Sequence, residues 1–375
     1  MLCVNVGSSS LKFAVYELGE DEERLDLDGE VVGVGRPSGR LWLRCSGEAR
    51  ESAGRFPGVT EAVAAGLEAI GEESLSRVHA VGHRVVHGGA CAVPRRVDEA
   101  LLAELGRLVP LAPLHQRGAL EVIHTVGRHL PRTPQVACFD SAFHQRLPEL
   151  ARHLPLPQWA WDEGVRRYGF HGLSFESVVW QLGAELAPRT VIAHLGSGAS
   201  LVALADGHPV DTTMSFTPSG GVMMGTRSGD LDPGILIYLL REKNWDADRL
   251  ERLVNSEAGL LGVSGRTSDM RELLEVRERD RLADAAVSMF CRDVRRAVGG
   301  LTAILGGLDL LVFTGAIGEH SGTIRNEICE GLDHLGIRVG SGGRPRRRRG
   351  TAVRVVAQNE NLMIARHTRS AIADS

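Results

Sequence analysis

The stretch VNVGSSSLKF, near the start of the chain, combines a turn with side chains that could bind phosphate. Gly7 and three serines lie between two apolar segments that alternate with the period of a β-strand. Asn5 and Lys12 flank this turn, so backbone N–H groups, hydroxyls and one ammonium group could meet phosphate oxygens there. A surface hairpin without a ligand is the alternative, and the stretch alone leaves both open.

Aspartate and arginine recur beside apolar runs and glycine turns. Asp140 follows the apolar run 136–139, where α/β proteins place metal ligands or bases at the end of a buried strand. It could instead cap the next helix. Arg84 lies in GHRVVHGG and Arg227 in GTRSGDLDPG. A guanidinium group can bind a phosphate or a carboxylate through two parallel hydrogen bonds.

These residue types suit phosphoryl transfer to a carboxylate. Such an acceptor is already ionised at neutral pH, because carboxyl groups have a reference pKa of about 4, and it needs no strong base. Arginines, a metal ion and a histidine would instead offset the repulsion between two anions around a loose transition state. A sugar kinase would need an aspartate that accepts a hydroxyl proton, and Asp140 could do that as well.

The elements that must position these residues alternate between strands and helices, which predicts α/β layers. We expect strands around 79–87, 134–140, 190–195, 200–205, 309–314 and 353–357. We expect helices near 60–70, 97–107, 117–129, 173–186, 233–243, 279–304 and 321–335.

Glycine turns recur at three places. The segment HLGSGASLVALADG, from His194, repeats the strand, Gly/Ser turn and strand of the opening segment. Either a duplicated domain or chance similarity of two turns would explain this repeat. The third turn, in LLVFTGAIGEHSG, leads into a helix whose N-terminus could bind an anion. Its spacing is not a dinucleotide fingerprint, and the chain contains no P-loop motif.

Composition excludes several classes of protein. The chain has 375 residues, a formal net charge of −4 and six scattered cysteines without a C-x-x-C pair. This length predicts two domains. The charge gives no reason to expect nucleic acid as a partner, and no apolar run is long enough for a membrane span. The cysteines favour a cytoplasmic protein, and the arginine run 344–349 is predicted to be a solvated loop.

Together, the motifs resemble the acetate kinase family, in collinear order over essentially the whole chain. They are VNVGSSSLKF, GHRVVHGG, FDSAFH, YGFHGLS, HLGSGAS, GVMMGTRSGDLDPG and NENLMIAR. The resemblance implies an α/β fold of two duplicated ribonuclease H-like domains, the actin-like ATPase fold, around a central cleft. The first domain would comprise 1–141 plus 362–375, and the second, with the nucleotide contacts, 142–361.

The resemblance also implies a reaction, in which ATP phosphorylates acetate reversibly with Mg²⁺ or Mn²⁺, in a homodimer. The catalytic residues would be Arg84, Asp140, His171 and Arg227. Arg84, Val86, Leu114, Phe170 and Pro218 would bind the acyl substrate. Asn5, Asp140 and Glu360 would position the metal, and Ser8, Ser10 and His115 would lie on the phosphate side. The nucleotide would contact Lys12, His194, Gly196, Ser197, Gly198, Asp269, Met270, Arg271, Gly315, Ala316, Ile317 and Gly318.

Several positions depart from the usual pattern of that family. Ser197 and His320 stand where asparagine is usual, Gln116-Arg117 where Asn-Pro is usual, and Gly315-Ala316 reverses the usual order. Most of these lie on the phosphate or nucleotide side, so the donor stays open between ATP, another nucleoside triphosphate and pyrophosphate. Propionate is an alternative acceptor, because one methylene changes binding by only about 1–3 kcal/mol. A sugar or polyol kinase and a nucleotide-dependent binding protein remain further candidate functions.

Overall fold

A computed structural model describes residues 1–7, 9–19, 22–45, 47–337 and 351–373. Ser8 and the arginine run 344–349 therefore lie outside the described residues, as does the side chain of Leu114. The chain divides into two compact units. The first comprises Met1–Gln145, Phe170–Ser177 and Asn359–Ser375, and the second Arg146–Gly169 and Val178–Gln358.

The described strands are numbered in chain order. They are β1 (Leu2–Val6), β2 (Ser10–Leu18), β3 (Glu23–Val32), β4 (Gly39–Cys45), β5 (Glu48–Gly54), β6 (Val81–Val85), β7 (Arg95–Arg96), β8 (Gln135–Phe139), β9 (Arg189–Leu195), β10 (Ala199–Ala205), β11 (His208–Thr212), β12 (Leu310–Thr314) and β13 (Ala352–Val355).

The described helices are numbered in the same way. They are α1 (Val59–Ile70), α2 (Glu72–Ser76), α3 (Glu99–Arg107), α4 (Pro113–His129), α5 (Glu149–Arg152), α6 (Gln158–Asp162), α7 (Gly172–Leu182), α8 (Pro233–Glu242), α9 (Ala247–Arg252), α10 (Gly259–Ser264), α11 (Met270–Val276), α12 (Arg281–Leu305), α13 (Gly315–His320), α14 (Gly322–Cys329) and α15 (Glu360–Ala373). Over the described ranges, no helix is long and apolar enough to cross a membrane.

The first unit is built on one sheet with the strand order β5-β4-β3-β2-β1-β6-β8-β7. β1 pairs antiparallel with β2 and parallel with β6, and β6 pairs parallel with β8. Because side chains alternate along a strand, β1 contributes to two apolar cores. Val4 packs into the core with α1 and α4, and Cys3 into the core with α15.

The second unit repeats this plan. Its sheet has the order β11-β10-β9-β12-β13, in which β9 pairs antiparallel with β10 and parallel with β12. The same order and directions occur in β3-β2-β1-β6-β8 of the first unit. The predicted α/β fold of two ribonuclease H-like halves is therefore confirmed. The helix α12 packs on this sheet through Phe290 and its apolar neighbours.

The compact units do not coincide with the predicted domain boundaries, 1–141 plus 362–375 and 142–361. Residues 170–177 pack in the first unit, because Gly172 donates its backbone N–H to the Asp140 carbonyl at 2.9 Å and α7 begins there. Asn359 and Glu360 also belong to the first unit. The boundaries of the duplicated domains themselves stay a prediction, since packing contacts do not define them.

Candidate active site

Arg84 and Asp140 form an ion pair inside the first unit. Arg84 is on β6 and Asp140 directly follows the parallel strand β8, so the two side chains leave the same edge of the sheet. The Nε of Arg84 donates to both Asp140 oxygens at 3.1 and 3.0 Å, and Nη2 donates to Oδ2 at 2.5 Å. Asp140 is fully buried, whereas the Arg84 side chain is 15% exposed. The pair thus fixes the guanidinium and leaves part of it accessible.

Asn5 and Glu360 complete this cluster. The Nδ2 of Asn5 donates to Glu360 Oε2 at 2.7 Å, and its Oδ1 accepts from Arg84 Nη1 at 3.2 Å. Arg84 Nε also lies 3.9 Å from Glu360 Oε2. Ser174, on α7, donates to the other Glu360 oxygen. The structure therefore brings together four sequence-predicted residues, which lie on β1, on β6, at the end of β8 and at the start of α15.

The charges in this cluster are unequal, because one guanidinium faces two carboxylates. Burial raises the pKa of Asp140 to about 6, although Arg84 opposes this shift and Glu360 adds to it. Burial alone would lower the pKa of Arg84, but Asp140 and Glu360 together raise it. Burial is thus the main reason that the pKa of Asp140 lies above its usual range despite the ion pair.

This donor set suits a hard divalent cation. Mg²⁺ is usually bound through one or two carboxylates together with water and substrate phosphates, rather than by a full cage of protein ligands. Over the described ranges, no group of three or more His, Cys, Asp or Glu side chains could hold a metal by itself. Asp140 and Glu360 nevertheless provide two carboxylates in one cluster, with Asn5 oriented by Arg84 and Glu360.

His171 lies in a strained position beside this cluster. Its φ is 60°, a left-handed conformation that residues other than glycine rarely adopt. Its backbone N–H bonds to the Asp140 carboxylate, and its carbonyl accepts from Phe175 at 3.0 Å in the first turn of α7. Strain of this kind costs about 1–3 kcal/mol and is common at functional sites. The bonds to Asp140 and α7 hold His171 in this conformation.

Three other histidines of the first unit are buried and neutral. Burial lowers the pKa of His83, His87 and His144 to about 4. His83 bonds Gln135 at 2.7 Å, and His144 bonds the Phe170 carbonyl at 3.0 Å. These contacts give each of the two a structural role.

The remaining predicted residues of the first unit lie around the same sheet. Val86 and Phe170 are buried, and Phe170 packs edge-on against His87 with 5.5 Å between ring centroids. Lys12 is exposed and pairs in register with Asn5 across β1 and β2. The carbonyl of Ser10 accepts from Gly7 at 2.8 Å and closes the first turn, and His115 lies in the first turn of α4.

In the second unit, two glycine turns meet at one edge of the sheet. His194 and Thr314 are paired at the ends of the parallel strands β9 and β12, so the turns after them are adjacent. Gly315 has a φ of 78°, and a Cβ atom there would lie 2.7 Å from the Leu195 carbonyl oxygen. Only glycine permits this close approach. The predicted nucleotide residues Gly196–Gly198 and Gly315–Gly318 are thus brought together.

Arg227 lies in a loop that is tied to the first of these turns. The backbone N–H of Gly225 donates to the Ser197 carbonyl at 3.0 Å, and the Met224 N–H donates to the Arg227 carbonyl at 3.1 Å. Arg227 Nη1 donates to the carbonyl of Pro218, which is buried, at 3.0 Å. Hydrogen bonds therefore hold Arg227 beside Pro218 and hold the loop of Arg227 beside Ser197.

Asp269 and Arg271 bond mainly to each other. Asp269 caps α11 by accepting from the Arg271 backbone N–H at 2.8 Å, and Arg271 Nη2 donates to its carboxylate at 2.7 Å. The hydrogen bond from Arg271 lowers the pKa of Asp269. Met270 is buried beneath them. A local cap explains these contacts without a nucleotide.

Sequence reasoning missed two residues of these clusters. Ser174 bonds Glu360, and Glu319 accepts from the backbone N–H groups of Gly315 at 2.9 Å and Gln358 at 3.2 Å. Each is an ordinary polar residue on a helix, and Glu360 and Gln358 lie 186 and 39 positions away from Ser174 and Glu319, respectively. No local pattern signals such a contact.

Comparisons with known proteins agree with the topology of the two sheets. The model of the Acetokinase family matches residues 1–368. The chain belongs to this family. An acetate kinase of Rhodopseudomonas palustris is 42% identical over 98% of this chain and 97% of its own length. The predicted family and the predicted class of enzyme, a phosphotransferase with a carboxyl group as acceptor, are confirmed.

Solved structures of the family are also similar to this chain. A crystal structure of Porphyromonas gingivalis acetate kinase has a TM-score of 0.86 at 34% identity, covering 99% of each chain. A propionate kinase from Francisella tularensis has a TM-score of 0.91 at 31% identity, covering 98% of each chain.

Proposed function

We propose that this member of the family transfers the γ-phosphoryl group of ATP to acetate, giving acetyl phosphate and ADP. An acetate oxygen forms the new bond to the γ-phosphorus, and the bond from that phosphorus to the ADP oxygen breaks. Four negative charges on ATP and one on acetate become three on ADP and two on acetyl phosphate. The charges balance without a proton, so the reaction needs positive charge and donors rather than a base.

The cluster of Arg84, Asp140, Asn5 and Glu360 carries this proposal. Arg84 is held by Asp140 and Asn5 but stays partly exposed, so its remaining N–H groups can bind oxygens of the acid and of the transferred phosphoryl group. We assign Arg227 as the second guanidinium group that contacts the acid and the transferred phosphoryl group. His171 donates to the equatorial phosphoryl oxygens, and its bonded backbone fixes where its ring lies.

Mg²⁺, or Mn²⁺ in its place, would be held through Asp140 and Glu360 together with the nucleotide phosphates. When bound, the ion supplies a positive charge that offsets the charge developing between the phosphates. Asn5 orients Glu360 and Arg84 for this role. Burial raises the pKa of Asp140 and the negative charge of Glu360 adds to this rise, and two neighbouring carboxylates are consistent with a site that receives a cation.

The phosphates of the donor are assigned to the first turn and to the glycine turns of the second unit. Ser8, Ser10, Lys12 and His115 would contact them from the first unit. His194, Gly196, Ser197 and Gly198 would contact them from the second. Gly315, Ala316, Ile317 and Gly318 would lie along the adenosine with Asp269, Met270 and Arg271.

Propionate is the second candidate acceptor, because propionate kinases are among the similar proteins. One from Citrobacter rodentium is 38% identical over 100% of this chain and 98% of its own length. We assign the acyl tail to Val86, Leu114, Phe170 and Pro218. A hydroxamate assay of acyl phosphate formation, with acetate, propionate and butyrate, tests both candidates. Phosphorylation of sugars but of no carboxylic acid would overturn the proposal.

We also propose a homodimer, for which α8 provides the support. Its sequence PGILIYLLRE is apolar on several sides, yet no residue of this helix is buried. Ile235, Ile237, Tyr238 and Leu240 are 44%, 48%, 51% and 44% exposed. Such a helix is normally covered. Antiparallel packing against the same helix of a second copy would place Asp232 of each chain near Arg241 of the other.

Light scattering after gel filtration tests this interface. Ile237→Asp should give a monomer, and Leu150→Asp is the control because Leu150 is 88% exposed and lies outside α8. A dimer that survives Ile237→Asp would refute the assignment to α8.

We further assign the protein to the cytoplasm, since buried thiols such as Cys3, whose pKa burial raises to about 12, suit a reducing compartment.

A further inference from the structure

Two serines on one helix hold the segment that carries Glu360. Ser174 and Ser177 are one turn apart on α7, and both are buried. The hydroxyl of Ser174 donates to Glu360 Oε1, and the hydroxyl of Ser177 accepts from the backbone N–H of Asn359 at 2.8 Å. The helix that begins just after His171 therefore fixes both the side chain of Glu360 and the backbone before it.

Asn359 is fixed from its other side as well. Its Oδ1 accepts from the Leu362 N–H at 3.0 Å, which makes it the N-terminal cap of α15, and from the Tyr16 hydroxyl at 3.2 Å. Glu360 is the first residue of that helix. A negative charge is favoured at this end of a helix, where backbone N–H groups are unpaired. The backbone of Glu360 is thus anchored. The orientation of its carboxylate then depends on the donors that contact its two oxygens.

We propose that Ser174 is a positioning residue that orients the Glu360 carboxylate for the divalent cation. This inference rests on the proposed metal role of Glu360. Ser174 holds Oε1, while Oε2 is shared by Asn5 at 2.7 Å and Arg84 at 3.9 Å. Without the hydroxyl, Oε1 loses this buried donor, and a contact that opposes rotation of the carboxylate about its last torsion is removed. That rotation moves Oε2 away from Asn5 and Arg84.

A merely structural role for Ser174 would have a different consequence. If the hydroxyl only tied α7 to α15, its loss would lower stability and leave metal affinity unchanged in the folded protein. Removing hydrogen-bond partners of metal ligands typically weakens metal binding by about 10–100-fold. Metal affinity therefore separates the two roles, and it can be measured without turnover.

Mn²⁺ binding to the full chain in the presence of ADP provides this measurement, with free Mn²⁺ followed by electron paramagnetic resonance. We expect Ser174→Ala to raise the Kd for Mn²⁺ by about 10-fold or more. Ser174→Cys keeps a similar volume with a weaker donor and should behave in the same way. Thr368→Val is the matched control, because Thr368 is also fully buried and its hydroxyl contacts the Ile364 carbonyl at 2.7 Å and the Cys138 thiol, neither of which is a proposed ligand of the cation.

Thermal melts of all variants show which of them are folded. The proposal is overturned if folded Ser174→Ala or Ser174→Cys binds Mn²⁺ as wild type does, or if Thr368→Val loses as much affinity. Glu360→Gln distinguishes this failure from failure of the metal site. If wild type and Glu360→Gln bind Mn²⁺ equally, Glu360 holds no cation, and the proposed positioning role of Ser174 is refuted as well. If only Glu360→Gln loses affinity, the metal site stands and the assignment of Ser174 is wrong.

Discussion

Replacing Arg84 by lysine should abolish most activity although the positive charge is kept. Arginine has five N–H donors in a planar fork. Its protein contacts engage three of these groups among the described residues, Nε and Nη2 on Asp140 and Nη1 on Asn5. Two N–H groups then remain for the proposed contacts to the substrates. A lysine ammonium has three donors on one atom and cannot reach Asp140, Asn5 and a substrate oxygen together.

The size of the effect follows from the charge that Arg84 stabilises. Loss of one preorganised donor to developing charge costs about 3–4 kcal/mol, or about 10²–10³ in kcat. Arg84→Lys should therefore be almost as slow as Arg84→Ala. The alanine variant should also be less stable, by about 3–5 kcal/mol, because it leaves the fully buried Asp140 without its ion-pair partner. Protonation of Asp140 would relieve part of that loss.

The assay is kcat for hydroxamate formation at saturating acetate, ATP and Mg²⁺, together with the melting temperature. Arg189→Lys is the matched control, since Arg189 also donates to an aspartate through Nε and Nη2, at 2.9 and 2.7 Å from Asp309. It lies at the start of β9, at the opposite end of the strand from His194. A kcat for Arg84→Lys within threefold of wild type, or an equal loss in Arg189→Lys, would refute the role of Arg84.

Three further predictions concern His171, Asp140 and the donor. His171→Asn should lower kcat by at least about 10-fold with little change in KM for acetate, because asparagine tolerates a positive φ but lacks the ring; an unchanged kcat would remove His171 from the site. In EDTA, the free energy of unfolding of wild type relative to Asp140→Asn should fall as pH rises from about 4 to about 6, by about 2 kcal/mol, because the pKa of Asp140 is raised in the folded state; urea denaturation that shows the difference rising with pH would contradict this. ATP should support turnover with a KM toward the high end of about 1 μM–1 mM, because Ser197 is shorter than the asparagine that is usual there in the family. Turnover with pyrophosphate and none with ATP would refute ATP as the phosphate donor.

Much of the fold can be predicted because its central elements carry strong patterns. The strands β9, β10 and β12 are buried almost throughout, and their apolar runs are visible in the sequence. The strands β3, β4 and β5 are absent from the strands that the sequence predicts. They lie toward one edge of the first sheet, and β5 (EARESAG) is exposed along nearly its whole length. β5 therefore shows no alternation to detect, and pairing with its neighbour determines it, whereas β3 does alternate and buries Leu27 and Val31.

Motifs locate the residues of the site, but they do not specify the contacts. The sequence marks Asn5, Arg84 and Asp140 as functional, whereas the ion pair that fixes Arg84 depends on the parallel register of β6 and β8. A helix cap is one role that the sequence allows for Asp140, yet its carboxylate bonds Arg84. The bond from Ser174 to Glu360 joins residues that are 186 positions apart. Contacts of this kind follow from topology, which a local pattern does not specify.

The charges of Arg84, Asp140 and Glu360 explain how one site could support phosphoryl transfer between two anions. Arg84 must stay in place while anionic substrates approach and leave, and the buried carboxylate of Asp140 anchors it through two nitrogens. The ion pair with Asp140 neutralises part of the positive charge that the acid and the phosphoryl group require. Glu360 adds a second negative charge, so the cluster alone carries one excess negative charge. In the proposed site, a divalent cation would reverse this sign and leave Arg84 anchored, whereas a cluster without the two carboxylates would have neither a fixed guanidinium nor a place for the cation.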